Sequence, residues 1–341
     1  MRTPWANLVL LILLIIQVVT GYFGFVNGRS PQRWILWLHG IGAYGLIVLL
    51  YWKSSIIADA FSRKNKWTWP RVSFALMLIL LLVTIAFGLI WTYWGPVYLG
   101  GFSLVSLHIY LAIPLMILML WHSWRMRFIL KLPKTWGRRL FLGSVVSALG
   151  GLFFWRTAQW AKQAAELPGA ERRFTGSYKW PGRRFPSVSW IADRPEPVEI
   201  GDWRLEIDGV VAKPLSFTYE QLQEMAADQI TATLDCTGGW YTTQDWRGVS
   251  LGRLLELAGL GDEAKSMTVT AVSGYQRRFS LEQANGYMLA LEVTGQPLDH
   301  GHGFPARLVA PDQRGVNWVK WVTQIRVNET SRLWQLPLPL R

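Results

Sequence analysis

Residues Asn7–Val26 read NLVLLILLIIQVVTGYFGFV, an apolar run without a charged side chain. About 20 apolar residues in a helix are enough to cross the hydrocarbon core of a bilayer. Four further apolar stretches follow, and the last of them is shorter and richer in Gly and Ser: Trp34–Trp52, Ser73–Trp94, Ser103–Trp124 and Leu140–Trp155. The pattern predicts an N-terminal α-helical membrane bundle of four spans, followed by a fifth, anchoring span.

The charge of the chain is divided unevenly between its two halves. The 341 residues include 35 Lys+Arg and 22 Asp+Glu, a formal net charge of +13. Positions 1–171 hold 16 of the basic residues and 3 of the acidic ones, whereas positions 172–341 hold 19 of each. Because the basic excess lies beside the apolar runs, it is typical of membrane topology and not of phosphate binding. We therefore expect no nucleic-acid partner.

The basic residues also predict an orientation. The loops after the second and fourth spans are rich in Lys and Arg, whereas the loop after the third span, residues 95–102, carries no charge. Positively charged loops stay in the cytoplasm. The sequence therefore predicts a multi-pass protein of the cytoplasmic membrane with a cytoplasmic N-terminus. Its C-terminal domain would be extracytoplasmic, on the periplasmic side.

The fifth span begins with a pair of arginines. Gly137–Gly143 reads GRRLFLG and resembles a twin-arginine export signal. The alternative is that Arg138 and Arg139 only follow the positive-inside rule at a cytoplasmic helix end. Both interpretations leave this segment as an anchor, since no small-residue cleavage site follows it.

Beyond a basic linker that reaches about residue 186, the sequence is that of a soluble domain. Thr218 and Gln221 form a capping-box pattern that predicts a short helix to about Ala227. Four segments predict strands: Arg204–Asp208, Ile230–Asp235, Met267–Val272 and Trp318–Val327. The expected domains are 1–130, a membrane bundle; 131–182, the fifth span and linker; and 183–341, an α+β domain.

Three histidines lie within the apolar spans, where an ionisable residue suggests a function. His39 and His108 each lie about five residues from the outer end of their span, so the predicted topology puts them at one depth. Two imidazoles at one depth can ligate a haem iron from its two faces. The alternative is a pair of buried histidines that bind backbone carbonyls.

His122 is the third of these histidines and lies 14 residues after His108. That spacing is about 21 Å along one helix face, which suits a second haem. However, the matching end of the second span offers Trp52 and Lys53 and no histidine. We therefore expect one haem b, with His122 as a candidate ligand of a second iron, a headgroup-level residue or part of a quinone site. Residues 1–130 resemble the four-helix membrane b-type cytochromes, which exchange electrons with quinones.

The single cysteine, Cys236, lies in the sequence LDCTGGW directly after a predicted strand. A lone cysteine excludes an intrachain disulfide and Cys-rich clusters. It is often only a small buried apolar residue. Here glycines beside it would permit the close approach of a ligand, and a thiolate is the soft ligand that a metal centre prefers.

Residues from about 183 to 330 resemble the sulfite-oxidase-type molybdopterin domain. Four motifs carry the resemblance: Trp203–Gly209 with Lys213–Leu215, Cys236–Trp240 with Trp246–Leu251, His302–Pro311, and Trp318–Val322. The resemblance implies that Cys236 ligates molybdenum and is the catalytic centre. It also implies that five residues bind the pterin cofactor or line its site: His302, Arg307, Lys320, Ser189 and Trp190.

The chain departs from that family where sulfite is held. Gly239 and Trp240 stand where sulfite oxidases have arginine, and Phe185–Trp190 contains no arginine upstream. These departures are more similar to the periplasmic branch that includes the protein-methionine-sulfoxide reductase. We therefore expect an enzyme that passes electrons between the quinone pool, haem b and molybdenum. Its substrate would be an S-oxide or N-oxide, either a small molecule or protein-bound methionine sulfoxide.

Two other functions remain open at this point. A dehydrogenase of sulfite, or of another reduced sulfur compound, would send electrons in the opposite direction, into the quinone pool. A haem- or pterin-binding module without catalytic activity would use the same ligands.

Overall fold

The structure is a computed structural model that describes residues 4–62, 68–125, 137–182, 184–189, 193 and 195–335. The chain divides into two compact units, Met1–Tyr178 and Lys179–Arg341. The first unit is helical. Its long helices are α1 (Pro4–Val26), α2 (Trp34–Ser62), α3 (Trp69–Trp94), α4 (Leu104–Arg125) and α5 (Arg138–Ala164). Two short strands, β1 (Tyr98–Leu99) and β2 (Phe102–Ser103), form a hairpin between α3 and α4.

All five helices are long and apolar enough to cross a membrane by length and composition. The helical N-terminal region that the apolar pattern predicts is therefore confirmed. The fifth helix is longer than expected, because it continues from Trp155 to Ala164 where a linker was predicted. The segment Arg156–Ala164 lacks Gly and Pro and contains three Ala and two Gln, which favour helix.

Glycines bring α2 and α5 close together. A β-carbon on Gly151 of α5 would lie 2.6 Å from the carbonyl oxygen of Ile41 and 2.9 Å from the amide nitrogen of Gly45. Such small-residue contacts are typical of helix packing in membranes, where close van der Waals contact takes the place of hydrophobic burial.

The end of the predicted linker packs against the last turn of α3. The indole Nε1 of Trp91 donates to the carbonyl of Gly176 at 2.9 Å, and the hydroxyl of Tyr178 donates to the carbonyl of Trp91 at 2.6 Å. Trp91 and Tyr178 are both buried. Residues 165–178 therefore belong to the helical unit, in the region where the sequence predicted a linker.

The second unit contains two sheets and three short helices, in agreement with the predicted α+β class. The two-residue strand β3 (Tyr178–Lys179) lies at the boundary of the units. The strands of the second unit are β4 (Leu205–Gly209), β5 (Leu215–Phe217), β6 (Asp228–Asp235), β7 (Trp240–Ser250), β8 (Ser266–Ala271), β9 (Gln276–Ser280), β10 (Met288–Val293), β11 (Gln296–Pro297), β12 (Arg307–Val309) and β13 (Val322–Asn328). Its helices are α6 (Tyr219–Met225), α7 (Leu251–Ala258) and α8 (Leu281–Ala284).

One sheet has the strand order β5-β4-β13-β8-β9, with β4 and β13 parallel. In the other, β7 pairs with β6 and β10, and β10 pairs with β11 and β12. Alternate residues of β7 are buried, as expected for a strand with one face on a core. Trp246, Leu308 and Ile325 belong to this core and are fully buried.

One strand begins later than the sequence predicts. The expected strand Trp318–Val327 begins only at Val322, because residues 315–317 form a 3-10 turn and Trp321 has a φ of 50°. This irregular segment places Lys320 in a loop and not in a sheet ladder.

The glycine contact between α2 and α5 leads to a first prediction. Gly151→Ala should destabilise the helical unit by about 1–3 kcal/mol, because its methyl group would meet backbone atoms that cannot move aside. Thermal unfolding in mild detergent measures this as a melting temperature several degrees lower. Gly150→Ala is the matched control, since its β-carbon would lie 3.5 Å from a side-chain carbon of Val48, an ordinary contact. An equal effect of both substitutions would contradict the packing argument.

Candidate functional site

Cys236 lies in a tight turn between β6 and β7. The amide of Cys236 donates to the carbonyl of Trp240 at 2.8 Å, and the amide of Gly239 donates to the carbonyl of Cys236 at 3.1 Å. Gly239 has a φ of 91°, which favours glycine. Gly238 points its amide at the sulfur at 3.3 Å, and a β-carbon on Gly238 would lie 3.4 Å from that sulfur. The glycines therefore allow the backbone to approach the thiol closely.

The thiol of Cys236 is buried, with 8 % of the residue exposed. Burial raises the pKa of this thiol, while the amide of Gly238 and the nearby cations favour the thiolate. A thiolate in this position is stabilised by a metal ion that takes it as a ligand.

An arginine that the sequence analysis did not consider lies beside the cysteine. Arg314 donates from Nη2 to the carbonyl of Cys236 at 3.2 Å, and its Nη1 lies 3.5 Å from Oδ1 of Asp235. Both charged side chains are buried. A β-carbon on Gly315 would lie 3.2 Å from the α-carbon of Cys236, so a glycine lets this segment reach the turn. The contact joins residues 78 positions apart, and no local pattern in the sequence indicated it.

Arg307, at the start of β12, lies in a buried aromatic environment. Its guanidinium carbon is 5.5 Å from the ring centre of Trp246 and 5.7 Å from that of Trp318. Its Nη1 donates to the carbonyl of His302 at 3.1 Å. Its Nε is buried and has no hydrogen-bond partner among the described residues. Burial lowers the pKa of Arg307 to about 10.

Lys320 is another buried cation of this unit. Its Nζ donates to the carbonyl of Gly301 at 2.7 Å, to Oγ of Ser189 at 3.0 Å and to Oγ of Ser187 at 3.4 Å. Burial, and then the positive charge of Arg307, lowers the pKa of Lys320 to about 7. Cys236, Arg307 and Lys320 therefore share one electrostatic environment.

His302 is held by protein groups at both of its ring nitrogens. Nδ1 lies 2.9 Å from Oδ2 of Asp299, and Nε2 lies 3.0 Å from the carbonyl oxygen of Phe185. The ring of Phe185 packs against the imidazole with 4.2 Å between ring centres. Because both nitrogens are engaged, the direct pterin contact expected of His302 remains a prediction.

Of the other residues considered from sequence, Ser189 contacts Lys320, whereas Trp190 lies outside the described residues. Asp235 is paired with Arg314. Asp245 is exposed and accepts a hydrogen bond from Thr231 at 2.6 Å, so it belongs to the outer face of β7 and not to the buried site.

The buried cations fit an anionic cofactor. Nε of Arg307 is buried without a hydrogen-bond partner among the described residues, and Arg307 and Lys320 repel each other. A bound group with negative charge and hydrogen-bond acceptors would stabilise both side chains. No three His, Cys, Asp or Glu side chains cluster at metal-binding spacing within the described ranges. A metal bound by Cys236 would therefore need further donor atoms from a cofactor.

Comparison with known proteins agrees with this chemistry. A family model described as oxidoreductase molybdopterin binding domain matches residues 192–334. This part of the chain is a molybdopterin-binding oxidoreductase domain. This domain carries the turn of Cys236 and the buried cations Arg307 and Lys320. The molybdopterin cofactor that the motifs implied is confirmed for this domain.

Among curated proteins, the NADH nitrate reductase 1 of Phaseolus vulgaris is 30% identical over 162 residues, 37% of this chain and 18% of that protein. The inducible NADH nitrate reductase 2 of Glycine max is 29% identical over 161 residues, with the same coverage. The chain thus spans less than a fifth of the length of these relatives. The crystal structure of the sulfane dehydrogenase SoxCD from Paracoccus pantotrophus aligns at 32% identity over 40% of each chain, with a TM-score of 0.38.

The helical unit contains a second candidate site, at His39 of α2 and His108 of α4. Their ring centres are 6.0 Å apart, and the ring planes are inclined by 82°. A metal ion lies about 2 Å from each histidine nitrogen that binds it, so this separation admits one metal atom between the rings. The structure thus brings together the two histidines that the topology put at one depth.

Each of these imidazoles is supported from the neighbouring helix. Nδ1 of His39 lies 3.1 Å from Oγ1 of Thr20 on α1, and Nδ1 of His108 lies 2.8 Å from the carbonyl oxygen of Thr84 on α3. Hydrogen bonds at Nδ1 orient Nε2 toward a metal. β-Carbons on Gly21 and Gly88 would each lie 3.2 Å from Cε1 of the facing ring. No local pattern in the sequence indicates these threonines and glycines, because their contacts with the histidines join different helices.

His122 lies apart from this pair. Its ring centre is 6.2 Å from that of Phe74, which stacks on Phe61. Lys53 of α2 donates to Oδ1 of Asn7 at 2.6 Å. Within the part of the chain that the structure describes, no second histidine faces His122. A second iron there would have one protein ligand.

Burial of Lys320 leads to a second prediction, for protein prepared without the pterin. The folded-state pKa of about 7 lies below the usual 10.5, so the unfolded chain takes up the proton first as the pH falls. As the pH falls from about 10.5 to about 7, the free energy of unfolding of the wild type therefore decreases relative to that of Lys320→Met. Below about pH 7 the difference between the two free energies is constant. Thermal unfolding at pH 10 and pH 7 should show the melting temperature of K320M rising relative to wild type at the lower pH, by several degrees.

The control for this experiment is Lys213→Met, because Lys213 is exposed. Its effect on the melting temperature should be the same at both pH values. A pH-independent effect of K320M would mean that Lys320 is not buried as a cation.

Proposed function

We propose that this protein is a membrane-anchored molybdenum oxidoreductase. Electrons would pass between the quinone pool, a haem b ligated by His39 and His108, and a molybdopterin site at Cys236 on the extracytoplasmic side. The single observation that carries the proposal is the pairing, in one chain, of a molybdopterin oxidoreductase domain with a helical unit whose two facing histidines lie 6.0 Å apart.

The helical unit supports the membrane part of this proposal. Its five helices have the length and the composition of membrane spans, and its basic residues cluster in the loops assigned to the cytoplasm. Hydrogen bonds at Nδ1 of both histidines favour ligation of an iron through Nε2. Since no third ligand from the described side chains lies nearby, a planar macrocycle suits the remaining positions.

When bound, the haem supplies one-electron transfer and the molybdenum cofactor supplies oxygen-atom transfer. The chain's own residues fix where these groups lie. Cys236 offers a buried sulfur ligand, and Arg307 and Lys320 offer positive charge to an anionic cofactor. The buried surroundings of Cys236 exclude bulk water from the metal ligand.

We infer that the substrate is an S-oxide or N-oxide, such as methionine sulfoxide, free or within a protein. The turn after Cys236 carries glycine and tryptophan and so presents no cation of its own to a small dianion. The curated relatives are nitrate reductases, and reduction of nitrate removes an oxygen atom from its substrate. This favours the reductive direction for the present protein.

A buried arginine favours a second candidate, a dehydrogenase of an anionic sulfur compound such as sulfite. Arg314 places positive charge next to Cys236, where the sequence analysis expected none. However, Arg314 is paired with Asp235, so little net positive charge remains for a dianion. We therefore rank this candidate second.

Metal analysis tests the proposal directly. Protein purified in mild detergent from a host that makes the molybdenum cofactor should contain about one Mo and one Fe per chain. Cys236→Ser should lose Mo and keep Fe, since the two metals would be held by different units. A wild type with Fe but no Mo would leave a membrane cytochrome and contradict the catalytic proposal.

The haem ligands are tested by absorption spectroscopy of the reduced protein. His108→Ala should lose the sharp α-band of a six-coordinate haem b, because one axial ligand is gone. His122→Ala is the matched control in the same helix and should keep the band. Loss of about half of the haem in H122A would instead mean that two haems are present.

The haem then reports the direction of electron flow. Methionine sulfoxide should reoxidise the haem of dithionite-reduced protein, and this reaction should be lost in Cys236→Ser. Reduction of the oxidised haem by sulfite would support the dehydrogenase in its place.

A further inference from the structure

A partly buried cationic cluster lies in the helical unit, apart from the histidine pair. We call it the Arg172 cluster; its members are Arg172, Lys162, Tyr44, Tyr93 and Tyr178. Arg172 donates from Nη1 to Oγ1 of Thr92 at 3.3 Å, and the hydroxyls of Tyr44 and Tyr93 lie 2.6 Å apart. Lys162 of α5 is only 3 % exposed, and its Nζ donates to Oε1 of Gln159 at 2.9 Å.

The two cations of this cluster have no carboxylate partner among the described residues. The groups that act on the charge of Arg172 are the phenols of Tyr178, Tyr44 and Tyr93, and burial lowers the pKa of its guanidinium. The nearby acidic residues of the sequence, Glu166 and Glu171, are exposed. A buried cation without an anion is costly, and neutral phenols do not remove that cost. The cluster is therefore a site for a negatively charged group.

A chain of contacts connects this site with the histidine pair. Gly88 of α3 lies against the ring of His108, and its carbonyl accepts a hydrogen bond from Oγ1 of Thr92 at 2.7 Å. That same Oγ1 accepts the hydrogen bond from Arg172. Four residues of helix are about 6 Å, or about one turn, so the guanidinium lies one turn beyond the His108 ring on the same face of α3.

We propose that Arg172 binds a propionate carboxylate of the haem held by His39 and His108, with Lys162 as a second cation. This inference rests on the proposed function and adds to it the residues that orient the macrocycle. A haem carries its two carboxylates on one edge of the macrocycle. A guanidinium binds a carboxylate through two parallel hydrogen bonds, and the hydroxyls of Tyr44 and Tyr93 add further donors.

A measurable redox property follows from the charge. A positive charge near the haem edge stabilises the reduced, more electron-rich haem over the oxidised one. Arg172→Gln should therefore shift the haem midpoint potential to a more negative value and weaken haem retention. Arg172→Lys keeps the charge but loses the bidentate geometry, so its shift should be the smaller of the two.

Spectroelectrochemical titration in detergent measures the potential, and the haem-to-protein ratio after gel filtration measures retention. The control is Arg173→Gln, the neighbouring arginine, whose guanidinium lies over the ring of Phe174 at 5.5 Å. It should leave the potential and retention as in wild type. An unchanged potential in R172Q with full haem content would overturn the proposal. If R172Q changed only the KM for quinol, the cluster would be a quinone site, and this too would overturn it.

A second probe isolates the carboxylate itself. Haem dimethyl ester, in which both propionates are neutral, should be retained at least several-fold less well than haem by wild type and R173Q, with little further loss in R172Q. If R172Q fails to fold, as judged by its helical circular dichroism, the retention of haem and of haem dimethyl ester by the wild type still tests the proposal. Equal retention of ester and acid would then overturn the assignment. A wild type that binds no haem at all would contradict the proposed function, and this assignment with it.

Discussion

Buried positive charge without a matching anion is the constraint around which this protein is organised. Arg307 and Lys320 repel each other in the core of the molybdopterin domain, whereas in the helical unit Lys162 is buried and Arg172 is partly buried. Hydrophobic packing alone does not favour such groups, because each loses its hydration and gains no ion pair among the described residues. Their presence is explained if each pair is neutralised by the acidic groups of a cofactor.

Both candidate centres have a similar construction from the protein side. Each proposed metal ligand is a side chain whose orientation is fixed by a neighbouring backbone or hydroxyl group: the amide of Gly238 at Cys236, Thr20 at His39, and the carbonyl of Thr84 at His108. Glycines at the same places allow the backbone to come close. The ligands are therefore held before a cofactor arrives, which reduces the entropy cost of binding it.

Much of the architecture follows from local patterns. Apolar length predicted the five helices, and strand alternation and a capping box predicted the α+β half, with Thr218 and Gln221 capping α6 as expected. The structure differs where tertiary contacts override local pattern. Lys320 lies in a loop because Trp321 adopts a positive φ, and residues 165–178 pack on α3 through Trp91 and Tyr178, although their composition is typical of a linker.

The sequence by itself determined the molybdopterin class of cofactor and predicted the types of metal ligand. A single cysteine in a motif, histidines inside apolar helices, and the partition of charge are all local properties of the chain. Only the tertiary structure decided which groups surround those ligands. Arg314 beside Cys236 and Arg172 beside the helix that supports His108 are contacts over some 80 residues of sequence. They depend on helix and strand packing, for which no periodicity or spacing in the sequence gives a signal.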